Sequence, residues 1–540
     1  MNRVVLIVLL LSAAANGLAA PPEDESISAY WIFFRGKGPD TIARISEFQS
    51  ALPERTIQRR QKTGNPVIDI YDLPVYAPYI DSLKPMVNKI REESRWLNAV
   101  SADIDKANLA AIRLLAFVEK TQPVAASDPR SSKVQVEETW QAGASDYLPS
   151  PASLDYGPSF EQLEQINAIR AHEQGYHGEG TIICFLDTGF LTYHHAFNHL
   201  DILAAHDFIN DDDFVGYDPA QDSLDQPNHG TGCLGTIGGY YPGELIGPAF
   251  AASYILCKTE VTSSETAVEE DYYVAGLEWG EWLGADVASS SLSYSDWYST
   301  DDYDGQTCLT TIAANIAFQK GLILCSAIGN AGPGKFTLGA PADSRYSLGI
   351  GGVQWNGTLY PHSSWGPTAD GRIKPDVCAR AVRTIAATPF TTDGFGRWTG
   401  TSLACPLVAG VIALVIQAHP DWSPAHVKEA IKETASHANR PDIRFGWGVV
   451  NARGAINYPS FSGYVVDSAA DRGLKAEIMI ECEDSKETFT AESDGSGYFI
   501  FANLPEGDYS VRIRAADFNP YEGAFSVPPS EEFDIFLAPE

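Results

Sequence analysis

Apolar and polar residues are arranged in three different ways along the chain. Between about 28 and 124, apolar runs such as Tyr30-Trp31-Ile32-Phe33-Phe34 are interleaved with segments of helical spacing. The pattern predicts a strand at 30–34, helices at about 41–63 and 78–92, a strand at 96–100, a helix at 107–115 and a closing strand from 117. Alternating elements of this kind make a small open-faced α+β sandwich. Residues 125–154 lose the periodicity and gather Ser, Ala, Pro and Asp, the composition of a linker. From about 155 to 458, continuous apolar strands at 181–186, 253–257, 286–290 and 322–327 alternate with helical patterns. Strands that are apolar on both faces and separated by helices predict a parallel α/β sheet. From 461 to 538 the period falls to two, as in Tyr509-Ser510-Val511-Arg512-Ile513-Arg514-Ala515, with turn signals at 493–497 and 505–508. That pattern predicts a small all-β sandwich.

The first residues do not belong to any of these units. Arg3 precedes the apolar stretch Val4 to Ala15, and small residues follow at Gly17, Ala19 and Ala20. This reads as an export signal over 1–20, cut near Ala19. The longest later apolar run, Leu403 to Ile416, contains Pro406 and Gly410 and is too short to span a bilayer, so it reads as a buried core helix. The expectation is a secreted or cell-surface protein with no membrane span after signal removal. The 540 residues carry 37 Lys plus Arg against 70 Asp plus Glu, a net charge of −33. A nucleic-acid backbone would repel such a chain, so a nucleic-acid partner is excluded. The 8 cysteines lie more than ten residues apart, and Cys184, Cys257 and Cys325 sit inside apolar runs. They read as buried small hydrophobes or disulfide partners, and without a C-x-x-C pair there is no thiolate zinc motif.

Four polar residues stand in strongly punctuated contexts. Asp187 ends the strand T-I-I-C-F-L, at the edge of a parallel sheet where functional groups gather. It could orient an imidazole or cap a helix. His229 opens the Gly-rich helix N-H-G-T-G-C-L-G, whose small residues permit close packing on the sheet; the alternative is a surface-loop histidine. Ser402, in G-T-S-L-A-C-P, begins the long apolar helix, where a hydroxyl is either a nucleophile near free N–H groups or an N-cap. Asn330, between glycines after strand 322–327, could aim its amide at a developing oxyanion or serve as a turn residue. The acidic runs at 211–213 and 301–304 do not complete a calcium loop, because Thr300 and Thr311 stand where carboxylates are needed. No metal site is assigned.

Taken together, L-D-T-G (186–189), N-H-G-T-G (228–232), G-N-A-G-P (329–333), S-S-W-G-P with K-P-D (363–376) and G-T-S-L-A-C-P (400–406) resemble the subtilisin-like serine proteases. The order Asp, His, Ser is that family's order of the hydrolytic triad. The resemblance implies Ser402 as nucleophile, His229 as general base and acid, Asp187 as the residue orienting the imidazole, and Asn330 as oxyanion donor. It also implies that Ser290-Ser291-Leu292-Ser293 pairs with an extended polypeptide substrate, with Ser293 standing where the family often has Gly. By the same resemblance, 28–124 is a propeptide-like domain acting as an intramolecular inhibitor. Residues 155–458 are the catalytic domain, and 461–538 resemble a carboxypeptidase regulatory-like β-sandwich. No cofactor is implied for catalysis, while structural calcium is frequent in the family. The implied activity is that of a secreted serine endopeptidase. The competing expectations are a catalytically dead binding scaffold and an esterase on the same triad.

Overall fold

The computed structural model describes residues 27–124, 135–142, 154–263, 266–470, 472–502, 504–527 and 531–539. The export signal read at 1–20 lies outside them, as do 125–134 and 143–153 of the linker. The N-terminal unit runs β1 (Ile27–Phe34), α1 (Thr41–Phe48), α2 (Glu54–Gln61), α3 (Ala77–Leu83), β2 (Lys89–Ser94), β3 (Ala99–Asp105), α4 (Lys106–Arg113) and β4 (Val118–Pro123). Its sheet has the order β2-β3-β1-β4, with β1 antiparallel to both neighbours.

The periodicity misplaces three boundaries here. The helix expected over 41–63 is two helices, because Pro53 holds Leu52 in extended backbone. The helix expected over 78–92 stops at Leu83, since Pro85 ends it, and Lys89–Ser94 pairs with β3 instead. The strand expected at 96–100 begins at Ala99. Trp96 and Leu97 form the hairpin turn, closed by Asn98 in the left-handed region at φ 50°.

Strand β1 explains why its run is apolar without interruption. Ile32 and Phe34 pack under α3 and α4 with Ile80, Leu83 and Ile112. Trp31 and Phe33, on the other face, join Trp96 in a core shared with Tyr273 and Leu277 of the catalytic unit. The period-two rule puts alternate residues on opposite faces, and here both faces are buried.

The catalytic unit is built on a sheet of β6 (Ile182–Asp187), β7 (Asp201–Asp207), β8 (Ser253–Lys258), β9 (Val287–Ser290), β10 (Ile323–Ala327), β11 (Leu348–Val353) and β12 (Val377–Arg380). The order is β12-β11-β10-β9-β6-β8-β7, and every pairing is parallel. Residues Ile183 and Phe185 of β6 face one core and Ile182, Cys184 and Leu186 face the other, as two-sided burial requires. The first core is shared with Cys233, Leu234 and Ile237 of helix α5 (Asn228–Gly238) and with the apolar helix α8 (Thr401–Ala418). The second is shared with α6 (Val268–Trp282) and α7 (Leu309–Gln319), the pair on which the N-terminal unit sits. The apolar run read as too short to span a bilayer belongs to the 18-residue helix α8, which by length and composition could cross a membrane; it is instead buried in the layer covering the sheet, as the core-helix reading expects.

A separate antiparallel ribbon has β13 (Thr384–Ala387), β14 (Gly394–Thr399) and, on its outer edge, β5 (Gln135–Gln141). The segment read as linker thus contains a strand. Val136, Thr139 and Trp140 are strand formers, and β14 offers them a free edge. Beyond the catalytic unit, 460–537 folds into two four-stranded sheets around their own core of Phe461, Val465, Ile480, Phe499 and Ile513. All eight cysteines are free and buried; Cys184 and Cys257 approach to 3.6 Å without a bond.

Candidate active site

Strand β6 is the point at which the sheet changes direction: β7 and β8 lie to one side of it and β9 to β12 to the other. Loops leaving its carboxyl end therefore part and leave a crevice. Asp187, the last residue of β6, is fully buried there. Its Oδ1 accepts hydrogen bonds from His229 Nδ1 at 2.7 Å and from the Thr188 backbone N–H at 2.7 Å. Helix α5 can come this close because of Gly230. A Cβ at that position would lie 2.3 Å from the Gly189 carbonyl and 3.1 Å from Asp187 Oδ1.

With Nδ1–H committed to the carboxylate, Nε2 of His229 is left with its lone pair toward the cleft. Burial disfavours the charged ring, but the Asp187 carboxylate and its hydrogen bond outweigh that. They hold the His229 pKa well above its ordinary 6.5.

Ser402 is the second residue of α8. Its Oγ donates to the Ser291 carbonyl at 3.3 Å in this arrangement. Pro406 lies at the sixth position of the helix, deeper than the first turn. Proline has no N–H to give the carbonyl four residues back, which is that of Ser402. That carbonyl is instead satisfied by Ser291 Oγ at 2.7 Å and Cys233 Sγ at 3.4 Å. A helix-breaking residue is thereby used to tie the start of α8 to β9 and α5.

Asn330 follows β10. Its Oδ1 accepts from the Thr401 N–H at 2.9 Å and the Thr401 hydroxyl at 3.1 Å. The oxygen being so engaged, the amide NH₂ is the group left for the cleft. Ala331, next in the chain, donates its N–H to Ser364 Oγ at 3.0 Å, which explains the S-S-W-G-P motif as a buttress.

His229, Asn330 and Ser402 share one cavity of about 400 Å³, with Ser291, Leu292 and Ser293 on its wall. Ser290 is not on that wall: it is the last residue of buried β9, and its carbonyl accepts from Cys405 Sγ at 3.3 Å. The Ser293 hydroxyl packs against two glycines; a Cβ at Gly339 would lie 2.4 Å from it and one at Gly329 3.3 Å. Sequence reading missed Cys233, whose Sγ lies 4.0 Å from both ring nitrogens of His229. Its spacing of four from His229 on one helix was the available signal. It also missed Thr401, Val136 and Glu260, all three of which line the cavity.

The acidic runs serve local turns. Asp302 caps Ser299, Asp212 accepts from the Phe214 N–H, and Asp213 meets His206 at 3.1 Å. Among the described residues, neither run gathers three candidate ligand atoms.

A parallel sheet whose switch point carries an Asp–His pair opposite a helix-borne serine defines an α/β hydrolytic enzyme class. The comparisons with known proteins make it specific. The subtilase family model matches residues 178–448, a model of the peptidase S8 propeptide domain of Bacteroidota matches 29–139, and the carboxypeptidase regulatory-like domain matches 460–537. The chain belongs to the subtilase family and is a serine-type endopeptidase made with a propeptide. It is 26% identical over 378 residues to subtilisin E of Bacillus subtilis (strain 168), covering 69% of this chain and 85% of that protein. It is 27% identical over 307 residues to the serine protease AprX of the same organism, covering 52% of this chain and 66% of AprX. The crystal structure of fervidolysin from Fervidobacterium pennivorans, described as a keratinolytic enzyme related to subtilisin, shares the fold. It aligns with a TM-score of 0.55 at 17% identity, over 94% of this chain and 78% of that one. Enzymes of this family need no cofactor for the chemical step.

Proposed function

We propose that the chain is an exported zymogen that cleaves polypeptides through Ser402, His229 and Asp187, with Asn330 stabilising the oxyanion. The observation that carries this reading is the 2.7 Å Asp187–His229 hydrogen bond at the switch point of the sheet, in the same cavity as Ser402. His229 Nε2 takes the Ser402 proton as Oγ attacks the carbonyl carbon of the substrate. Asp187 holds the correct tautomer and stabilises the imidazolium that forms. The amide of Asn330 and the N–H groups at the start of α8 meet the negative charge on the carbonyl oxygen. His229 then protonates the leaving amine, and water repeats the sequence on the acyl-enzyme. Residues Ser291 to Ser293 form the wall along which the acyl side of an extended substrate lies. The region 28–124 blocks this cleft until it is removed, 155–458 carries the chemistry, and 461–538 is an appended module.

A fluorophosphonate should label Ser402 and no other residue, as located by mass spectrometry. Its rate should follow His229 ionisation. Because the Asp187 pair raises the His229 pKa, the ring is protonated and unable to accept the serine proton below that raised value. Labelling and kcat/KM should both fall with acidification along a limb centred above pH 6.5. A limb centred below pH 6, or label on another residue, would count against the assignment.

Asn330→Ala should slow turnover by about 10² to 10³ with KM near wild type, because the amide pairs with charge present only in the transition state. That scale belongs to the subtilisin oxyanion donor and is carried over to this relative. A loss confined to KM would make Asn330 a ground-state binding residue.

A further inference from the structure

The cavity that holds Ser402, His229 and Asn330 carries two further ionisable side chains, Asp225 and Glu260, and both are acidic. Among the described residues its lining holds no lysine or arginine. Neither carboxylate has a part in the triad chemistry. Extra negative charge beside a developing oxyanion opposes the reaction unless a cation arrives with the substrate.

Sheet order decides on which side of a bound polypeptide the two acids stand. Strand β9 lies between β10 and β6, and β8 lies beyond β6. The segment leaving β9, Ser291 to Ser293, therefore has Ala327 and Gly329, from the end of β10, on one side. On the other it has the turn after β8 that carries Glu260 and Thr262. An extended peptide lying along 291–293 turns successive side chains to opposite sides. Next to Ser402, the β6 side is occupied by the His229 ring, so the residue at the cut bond turns its side chain over Ala327 and Gly329. The residue before it then faces Asp225 and Glu260.

Both carboxylates are fixed by hydroxyl donors. Asp225 Oδ1 accepts from Ser223 Oγ at 2.8 Å and from Thr262 Oγ1 at 3.3 Å. Glu260 Oε2 accepts from the hydroxyl of buried Tyr294 at 3.0 Å. Gln226, 3% exposed, fastens the two loops to each other. Its amide donates to the Glu260 carbonyl and, at 2.7 Å, to the Thr188 carbonyl, while its oxygen accepts from the Thr262 N–H at 3.1 Å. The acids are thus in place before a substrate arrives, which spares part of the ordering cost of binding.

We infer that Asp225 and Glu260 are specificity-determining residues of the acyl side, selecting a basic side chain at the second residue before the cut bond. This rests on Ser402 being the nucleophile. Backbone pairing along 291–293 accepts almost any sequence, and the two carboxylates add the side-chain selection that it lacks. Asp225 is exposed and Glu260 half-buried, so the preference is moderate and weakens with salt.

The test uses the self-processed enzyme, separated from its N-terminal unit, and three quenched peptides that differ only at that residue, which is Arg, norleucine or Glu. Mass spectrometry verifies that all three are cut at the same bond. At low salt the Arg peptide should have a kcat/KM roughly three- to tenfold above that of the norleucine peptide, with the Glu peptide below both. Salt raised to about 0.5 M should remove most of the difference. In Glu260→Gln with Asp225→Asn, whose amide oxygens can still accept from the same hydroxyls, the Arg and norleucine peptides should come within about twofold of each other. Glu260→Lys with Asp225→Lys should favour the Glu peptide. Each preference is a ratio within one enzyme, so a change that slows all three peptides alike cancels. A wild-type ratio below about twofold, or one that salt leaves unchanged, would overturn the inference and leave the protease reading standing. So would an Arg preference that survives in the Gln/Asn variant. A wild-type enzyme that cuts none of the three peptides and takes no fluorophosphonate would remove the protease reading itself, and the inference with it.

Discussion

Ser402→Ala will lower peptide hydrolysis by roughly a millionfold, the scale established for the subtilisin triad and carried over here. The size follows from how the three residues act. Without the Ser402 hydroxyl there is no acyl-enzyme, and the proton acceptor prepared by the 2.7 Å Asp187–His229 bond has nothing to accept from. What remains is the activity of the oxyanion donors and of substrate positioning, about 10³ to 10⁴ over water. The measurement is turnover of a quenched peptide by the purified variant. Alongside it, the precursor that keeps its N-terminal unit should persist uncut on a gel. Turnover above one hundredth of wild type would dismiss Ser402 as the nucleophile.

Glu281→Ala will loosen the N-terminal unit from the catalytic unit by roughly 10² to 10³-fold. Glu281, on α6, is fully buried at this contact. It accepts from Arg60 Nε at 2.8 Å and Arg60 Nη2 at 2.7 Å, and it also pairs with Arg59. Arg60 further meets Asp72 at 2.8 Å, which is itself bound by Lys320 of the catalytic unit at 2.8 Å. Removing one partner of a buried pair leaves the other charge uncompensated and costs about 3–5 kcal/mol. At about 1.4 kcal/mol per decade that gives the stated loss of affinity.

Burial pushes the Glu281 carboxyl up, but Arg59 and Arg60 overcome this and hold it below its ordinary 4.5. A depressed carboxyl pKa contributes docking energy that is complete above the ordinary value and lost only as pH falls through the lowered one. The contact should therefore persist at neutral and mildly acidic pH. The check is the concentration of separately added 27–124 segment that halves the activity of the processed enzyme, with and without Glu281→Ala. A shift of less than threefold would show that the ion pairs do not carry the docking.

Much of this molecule is local and therefore legible. The α/β alternation over 155–458 and the period-two pattern over 461–538 follow from rules that operate within a few residues: which face a side chain takes, and where Gly and Pro stop an element. The motifs around 187, 229, 330 and 402 were visible because tight turns and close approaches admit few residue types, as Gly230 against Asp187 illustrates. The same rules failed at Lys89–Ser94, where pairing with a partner strand outweighed the local pattern, and at Trp96, which the hairpin turn takes up.

What the sequence determined by itself was the class of each unit and the residues able to carry chemistry. Tertiary structure alone decided which edge receives the strand at 135–141, which acids of α6 face the arginines of the N-terminal unit, and that Ser291 completes the carbonyl freed by Pro406. These contacts join positions from about a hundred to more than two hundred and fifty residues apart. No short window of sequence contains both partners, and only the folded sheet and its covering helices bring them within hydrogen-bonding distance.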